Sequence, residues 1–482
     1  MKLATKLGYG VGQAADGIKT SAFSTFLFFY YNQVLGLSGS LAGTVALLAL
    51  IVDAITDPMV GQYSDRCQSR WGRRHPFMLV GAIPFALAMI ALFSPPDGLG
   101  QTGLFVWMLV GSVSVRLMLT LFFVPHLSLG AEMVTDYHQR TSLIGYRVFF
   151  SYAGVLATSV IGFAVFFPAS EAFSNGMLNP DSYSGFGAFV GIMGCAAMLI
   201  AVASTWKLIP QLAKPRFDPE AKSALLAFIT VFLTLKQRAF RILFSTTLMF
   251  MILAGVTQTL LIYVATYIFE FQPDEMALIA SSVVIGIVVA PWLSQWVSLS
   301  LDKKRALAVC VVGGALLSTF PFLLYFLGGL QLMSSGEKML LVFISNGLAQ
   351  AFFIAYVILL DSMLSDTIDE HELHTARREE GLFFAARSLA TKASYGLGTF
   401  FAGIALDLIK FPQGASPETV SQSAIDNLAI LAGPVSVLLF VMTLLISSRY
   451  PLDASRHREI REHISERKQA ASAMPGAAPD RV

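Results

Sequence analysis

Long runs of apolar residues, separated by short polar segments, make up most of this chain. A helix needs about 20 mostly apolar residues to cross the hydrocarbon core of a bilayer. Twelve runs are long enough, and each predicts one membrane-spanning helix. Their approximate ranges are 10–35, 41–64, 76–95, 102–127, 143–167, 184–209, 240–269, 275–300, 306–329, 338–365, 381–410 and 424–448.

Basic residues fall on alternate loops between these predicted spans. Arginine and lysine are concentrated in the segments 66–74, 207–238 and 303–305, whereas the opposite loops carry mainly acids, such as Asp181 and Glu275. Loops rich in Lys and Arg stay on the cytoplasmic side of a membrane. The alternation therefore predicts that both termini are cytoplasmic.

The twelve predicted spans divide into two groups of six. Residues 1–209 and 240–449 predict two six-helix bundles, joined by a cytoplasmic linker at 210–239. The tail at 450–482 is rich in Ala, Pro and charge, which predicts disorder. The expected fold is an all-α membrane protein of twelve transmembrane helices in two six-helix bundles, with a solute site near the midplane between them.

Composition agrees with a membrane protein. Of the 482 residues, 55% are hydrophobic and only 13% are charged, whereas about 25% of residues are charged in soluble domains. The net charge of +2 gives no indication of a nucleic-acid partner. The three cysteines lack metal or disulfide spacing, and the common hydrolase, metalloprotease and phosphate-loop motifs are absent. We therefore expect neither an enzyme nor a cofactor.

Two carboxylates, Asp53 and Asp57, lie inside the second predicted span. Their spacing of four puts both on one helix face, roughly 6 Å apart along the axis. An ionised carboxylate facing lipid is costly. The pair therefore predicts a cavity, a counter-charge or a bound cation, and a purely structural ion pair is the alternative.

The loop after these acids, from Gly61 to Arg74, reads GQYSDRCQSRWGRR. It resembles the signature loop of the major facilitator superfamily, with extra residues before its second glycine. Together with the preceding DAITDP string, it resembles the glycoside–pentoside–hexuronide:cation symporters, and the resemblance covers nearly the whole chain. It implies the major facilitator fold and solute transport by alternating access, coupled to Na⁺ or H⁺.

The resemblance also implies a cation site. Asp53 and Asp57 match its two acids, and Thr120 matches a hydroxyl ligand. Thr56 stands where melibiose-transporting relatives have an asparagine, which leaves the choice between Na⁺ and H⁺ open. Lys392 matches a lysine of the eleventh span that pairs with the acids; it lies roughly 16 Å into that span, at a depth similar to that of Asp53.

Several polar or aromatic residues inside other spans are candidates for the solute site. The two acids by which galactoside-transporting relatives hold their sugar are absent. Asp16 is one residue early for the first, about 100° around the helix, and Phe123 stands in the place of the second. We therefore expect another small hydroxylated solute, such as a sugar or glycoside. For Asp16 a pair with Lys19 is the alternative, for Arg116 a pair with an acid such as Asp16, and for Phe123 packing instead of stacking on a sugar ring. The candidates are Asp16, Arg116, Phe123, Asp361 and Arg387.

Charged residues at the cytoplasmic ends of the spans predict ion pairs that hold one conformation of the gate. The acidic and histidine-containing stretch 369–374 favours such a network over a metal site. The predicted gate and loop residues are Asp65, Arg66, Arg73, Arg74, Glu132, Asp136, Arg140, Arg147, Asp366 and Asp369.

The function that the sequence favours is cation-coupled symport of a small hydroxylated solute across a bacterial inner membrane, by a monomer. Its partners would be the solute, a monovalent cation and the lipid bilayer. A carrier of a lysophospholipid-like amphiphile and a non-transporting membrane sensor are the alternatives.

Overall fold

The computed structural model describes residues 2–134, 136–212, 234–375 and 379–473, and within these ranges all regular secondary structure is helical. The N-terminal half, before residue 213, contains α1 (Leu3–Val11), α2 (Ala14–Ser21), π-helical segments Ala22–Leu27 and Tyr30–Val34, α3 (Gly39–Arg66), α4 (His75–Leu92), α5 (Gln101–Met133), α6 (Tyr137–Ile161), the π-helical segment Gly162–Phe166, a 3₁₀ turn Gly176–Leu178, α7 (Ser182–Thr205) and a 3₁₀ segment Trp206–Gln211. The C-terminal half, after residue 233, contains the 3₁₀ turn Thr234–Lys236, α8 (Arg238–Tyr263), the π-helical segment Val264–Ile268, α9 (Pro273–Ser281), α10 (Val283–Ser300), α11 (Lys303–Phe326), the 3₁₀ turn Gly329–Leu332, α12 (Ser335–Thr375), α13 (Glu380–Leu408), α14 (Gln422–Ile430), the π-helical segment Leu431–Val435, α15 (Ser436–Ser447) and α16 (Ala454–Ala473).

Ten helical stretches in the described ranges are long and apolar enough to cross a membrane. The first predicted span is not among them; it is divided into α1, α2 and two π-helical segments and carries Asp16 and Lys19. The eleventh, α13, carries Arg387 and Lys392 within its first half. The all-helical membrane fold is thus confirmed, and the exact count of twelve spans stays a prediction.

Local sequence signals explain where several helices begin. Pro76 lies in the first turn of α4, where a proline loses no intrahelical hydrogen bond. At the start of α9, Gln272 and Glu275 form a capping box around Pro273. These signals hold the loop ends of the spans in place.

Close helix packing depends on small residues, as is common in membranes. A Cβ added at Gly17 of α2 would lie 2.0 Å from the carbonyl oxygen of Ser151 in α6, and one at Gly154 would lie 2.5 Å from the carbonyl oxygen of Ala14. The two backbones therefore touch directly, which fixes the face of α2 that turns away from α6.

The two halves are joined at the end that holds the loop between the first two spans. Gln33 donates to the carbonyl of Pro412 at 3.0 Å, and Gln413 donates to that of Leu37 at 3.2 Å. The Tyr263 hydroxyl donates to Asn32 at 2.5 Å. In the predicted topology this is the non-cytoplasmic side, so the described conformation is closed there.

The tail contradicts one expectation. Residues from Ala454 to Ala473 form helix α16, and Ile460 and Ile464 are buried against the C-terminal half. Arg467 donates to the carbonyl of Glu372 at 3.0 Å. The prediction of disorder from residue 450 is therefore wrong for this segment, because two isoleucines four residues apart give the charged helix an apolar edge. Residues 474–482 and most of the predicted linker, 213–233, lie outside the described residues.

Candidate functional site

A cavity of about 360 Å³ lies among α2, α3, α5 and α13, and all the predicted cation and solute residues of the N-terminal half except Thr56 line it. Its polar wall consists of Asp16, Lys19, Thr20, Ser24, Asp53, Asp57, Ser112, Arg116, Thr120, Thr391 and Thr399. Its apolar wall includes Phe23, Leu27, Phe28, Val45, Leu50, Met108 and Phe123. The cavity is therefore large enough for a small solute, and polar residues from all four helices line it.

Two contacts between α3 and α5 form the centre of this polar wall. Arg116 Nη1 donates to Asp53 Oδ2, and both side chains are mostly buried. One helical turn further along each helix, Thr120 Oγ1 donates to Asp57 Oδ1 at 2.8 Å. The structure thus brings together the two acids and the hydroxyl that the sequence assigned to a cation site.

Two further oxygens belong to residues next to the acids in the sequence, Ala54 and Thr56. The Thr56 hydroxyl is buried and has no hydrogen-bond partner within the described part of the chain. Pro58 of α3 has no N–H to donate to the carbonyl of Ala54, four residues earlier. Such oxygens are the ligand type that hard cations prefer.

Lys392 lies in α13, but its side chain is outside the described residues. Its neighbour Thr391 lines the cavity and donates to the carbonyl of Arg387 at 3.2 Å. The pairing of Lys392 with the acids of α3 therefore stays a prediction.

The predicted solute residues fall into two groups. Asp16 and Phe123 line the cavity with Arg116, and Asp16 is paired with Lys19 at 3.7 Å. Arg116 pairs with Asp53 and not with Asp16, which was the alternative for it. Its guanidinium carbon also lies 5.6 Å from the ring centre of Phe23, a cation–π distance.

Asp361 and Arg387 form the second group. Arg387 Nε lies 3.0 Å from Asp361 Oδ1, which joins α12 to α13 in the C-terminal half. Neither residue belongs to the described lining of the large cavity. The structure therefore does not bring them to the other predicted solute residues.

The signature loop forms a compact charge network with the end of α5. Arg74 is 4% exposed; it donates to Ser64 at 2.6 Å and to Glu132 at 2.9 Å, and it also pairs with Asp65. Arg73 pairs with the same Glu132 at 2.7 Å. The guanidinium groups of Arg73 and Arg74 thus both donate to the Glu132 carboxylate, and these charge-assisted hydrogen bonds fix the loop against α5.

The remaining loop residues of the N-terminal half have separate positions. Asp136 caps α6 by accepting from the backbone N–H of Gln139 at 2.9 Å. Arg147 donates to the side-chain carbonyl of Gln13 at 3.2 Å. Arg66 and Arg140 are exposed.

In the C-terminal half, the acids at the end of α12 bind groups that the sequence reading did not assign. Lys303 Nζ lies 2.6 Å from Asp366. His457 of α16 lies 3.4 Å from Asp366 and 3.1 Å from Asp369. The described residues hold no cluster of three or more His, Cys, Asp or Glu that could bind a metal ion.

A further acid was missed because its role depends on the packed structure. Asp407, near the end of α13, accepts from the backbone N–H of Gly39 at 2.8 Å and from that of Ser40 at 2.7 Å. It thus caps the N-terminus of α3 from the other half of the chain, a favourable position for a carboxylate. A Cβ at Gly403 would lie 2.0 Å from the Gly39 carbonyl oxygen, so only glycine permits this approach.

The whole chain is similar to known transporters. Residues 8–454 match the family described as MFS/sugar transport protein. An uncharacterized symporter of Synechocystis sp. is 27% identical, with 96% of this chain and 97% of that protein covered. The isoprimeverose transporter of Lactiplantibacillus pentosus is 24% identical over 83% of this chain and 79% of its own length.

Two other comparisons extend this similarity. The sodium-dependent lysophosphatidylcholine symporter 1 of Gallus gallus is 25% identical, covering 98% of this chain and 91% of that protein. The solved structure of a bacterial homologue of the human lysosomal transporter Spinster has a TM-score of 0.65 at 13% identity, with 96% of this chain and 97% of that chain covered, and it shows the fold. The chain therefore belongs to the MFS/sugar transport protein family of the major facilitator superfamily, among its glycoside–pentoside–hexuronide:cation symporters.

Proposed function

We propose that this protein couples the inward movement of a monovalent cation to the uptake of a small hydroxylated solute, such as a sugar or glycoside. It would do so by alternating access in a bacterial inner membrane, with both termini in the cytoplasm. The observation that carries the proposal is the pair of contacts Asp53–Arg116 and Asp57–Thr120 on the wall of a cavity of about 360 Å³. Ligand sites typically have volumes of about 300–1,000 Å³.

The cation would bind through carboxylate and hydroxyl oxygens. Asp57 and Thr120 already point at each other, and the Thr56 hydroxyl is buried one residue before Asp57. Arg116 offsets the charge of Asp53, and a cation beside Asp57 would stabilise the second carboxylate in this poorly solvated site. Whether Na⁺ or H⁺ fills this role depends on whether these oxygens can surround a metal ion.

Coupling requires that the cation interact differently with the two access states. Helix α3 carries both acids on its contact with α5, and it also packs along α13 of the other half. A cation bound between α3 and α5 would therefore act on a helix that forms the contact between the halves. Lys392 on α13 would compete with the cation for the same carboxylates.

The solute would lie beside this pair, against the polar wall. Asp16, Lys19 and Ser112 offer acceptors and donors for hydroxyl groups, and Phe23 and Phe123 offer apolar ring faces. Sugars present both kinds of surface, so this mixture suits them.

An amphiphile is the second candidate. It is favoured by the similarity to the sodium-dependent lysophosphatidylcholine symporter 1 and by the apolar part of the wall, which includes Leu27, Phe28 and Leu50. A lysophospholipid would need this apolar surface for its chain.

A thermal-shift screen of the purified protein distinguishes these candidates, because a ligand that binds the folded state raises the unfolding temperature. Sugars, glycosides and lysophospholipids are each tested at two pH values, with Na⁺ or with choline in its place. A shift with a sugar or glycoside that grows with the coupling ion supports the proposal. A shift with lysophospholipids alone would transfer the assignment to the amphiphile.

A further inference from the structure

Arg116 and Thr120 occupy equivalent positions opposite the two acids. They are one turn apart on α5, as Asp53 and Asp57 are on α3, and each contact joins residues 63 apart in sequence. Arg116 therefore occupies the position beside Asp53 that Thr120 occupies beside Asp57.

The chemical difference between these partners is large. A threonine hydroxyl is neutral, and its oxygen can share a cation with the carboxylate that it contacts. A guanidinium is itself a cation and has only N–H donors. An ion entering this wall would meet a neutral hydroxyl beside Asp57 and a fixed positive charge beside Asp53.

The surroundings of Arg116 leave its head group on the cavity wall. Its side chain is 16% exposed, and among the described residues its hydrogen bond to Asp53 uses one of the five N–H donors. Its Nε is buried without a hydrogen-bond partner among the described residues. Buried donors of a purely structural arginine are normally satisfied, so this head group is held mainly by Asp53 and the ring of Phe23.

We propose that Arg116 is a tethered cation that occupies Asp53 in place of a mobile ion and so limits the site to one coupling ion, held by Asp57 and Thr120. The inference rests on the proposed function and specifies its ion site. While Arg116 lies on Asp53, a second ion is excluded both by occupancy of the carboxylate and by like-charge repulsion. Arg116 thus determines how many cations the site accepts and how tightly.

The test measures binding of radioactive Na⁺ to the purified full-length protein in nanodiscs at pH 8. Arg116→Gln removes the cation from the Asp53 carboxylate, so we expect at least a fivefold gain in Na⁺ affinity or a second bound Na⁺. If the wild type binds no Na⁺, this variant should bind it. Arg116→Lys keeps the charge and should resemble the wild type. The double variant R116Q/D53N should lose the gain.

Lys19→Gln is the matched control, because Lys19 is another cation on the same wall. A gain below fivefold in Arg116→Gln without a second bound ion, or an equal gain in Lys19→Gln, would overturn the inference. If Arg116→Gln does not fold, Arg116→His replaces it. The Na⁺ affinity of this variant should rise more steeply with pH than that of the wild type, because the imidazole loses its charge as the pH rises. An equal pH dependence in the two proteins would contradict the proposal. Loss of ion dependence in Asp57→Asn tests the proposed function separately, since it does not involve Arg116.

Discussion

Individual side chains show which parts of the site could be read from the sequence. Asp53 and Asp57 were predictable, because a carboxylate inside an apolar run needs a partner wherever the helix lies. The partner of Asp53 was not predictable, because it depends on the register between α3 and α5, which only the packed structure fixes. Asp407 was missed for the same reason: its ligands are backbone N–H groups of another helix.

The charge network of the signature loop gives a stability prediction. Arg74→Ala leaves the mostly buried Glu132 without one of its arginine forks and removes the donor to Ser64. Breaking a buried ion pair typically costs about 3–5 kcal/mol, so the unfolding temperature in detergent should fall by several degrees.

Arg66→Ala is the control for this prediction. Arg66 also lies in the signature loop, as the last residue of α3, but its side chain is exposed. Such surface changes typically stay within about 0.5 kcal/mol. Equal effects of the two substitutions would show that the network around Arg74 contributes little.

Helices, taken as units, explain both the correct and the incorrect structural expectations. Long apolar runs identified ten spans, but α5 and α12 extend 6 and 10 residues beyond their predicted ends, to Met133 and Thr375. Composition was the wrong guide for α16, because a segment rich in charge and Ala has the composition of a disordered tail but also a high helix propensity. Whether such a segment is helical or disordered depends on whether its apolar edge can pack against the rest of the protein. In α16 this edge consists of Ile460 and Ile464, and both are buried.

The attachment of α16 can be tested at His457, which lies between Asp366 and Asp369. His457→Ala should loosen the helix, so limited proteolysis should cut it several-fold faster than in the wild type. His463→Ala is the matched control on the same helix, since His463 is exposed and its ring contacts only the nearby Glu459 carbonyl among the described bonds. Equal cleavage rates in both variants would contradict this attachment.

The start of α16 has its own support. Asp453 accepts from the backbone N–H of Arg456 at 2.8 Å, and this hydrogen bond lowers the pKa of Asp453. Because the pKa of Asp453 is lowered on folding, its ionised carboxylate stabilises the helix at pH values above the usual titration range of the carboxyl group. This contribution is lost as the pH falls through the lowered pKa. Asp453→Ala should therefore increase fraying of α16 at neutral pH, measured by amide hydrogen exchange of residues 454–458.

The contact between Asp407 and the start of α3 is expected to hold the non-cytoplasmic side closed. Asp407→Ala removes the acceptor for Gly39 and Ser40, so a cysteine introduced at Phe28, on the cavity wall, should react several-fold faster with an impermeant maleimide added from outside. The native cysteines are replaced by serine beforehand.

Asp97→Asn is the control for the Asp407 experiment, because Asp97 is an exposed acid on the same predicted side of the membrane. It should leave the labelling rate unchanged. If Asp407→Ala also leaves it unchanged, this cap does not determine access.

The molecule as a whole fits a carrier with one closed end. The predicted family, membrane fold and transport function are confirmed by the match over residues 8–454 and by the similarity to symporters. The cross-half hydrogen bonds of Gln33 and Asp407 lie at one end, whereas the networks of Arg74 and Asp366 lie at the other and join helices within one half. The solute and the ion could not be derived from sequence, because both depend on side chains that converge from distant helices.

The central claim is that Asp57 couples cation movement to solute accumulation. The most direct measurement compares wild type and Asp57→Asn in membrane vesicles, with the solute found by the thermal-shift screen. One arm follows uptake driven by an imposed Na⁺ or H⁺ gradient, and the other follows exchange of labelled for unlabelled solute without a gradient. We predict that Asp57→Asn abolishes gradient-driven accumulation, because its cation ligand is lost, while exchange persists. Accumulation by Asp57→Asn with unchanged ion dependence would contradict the account.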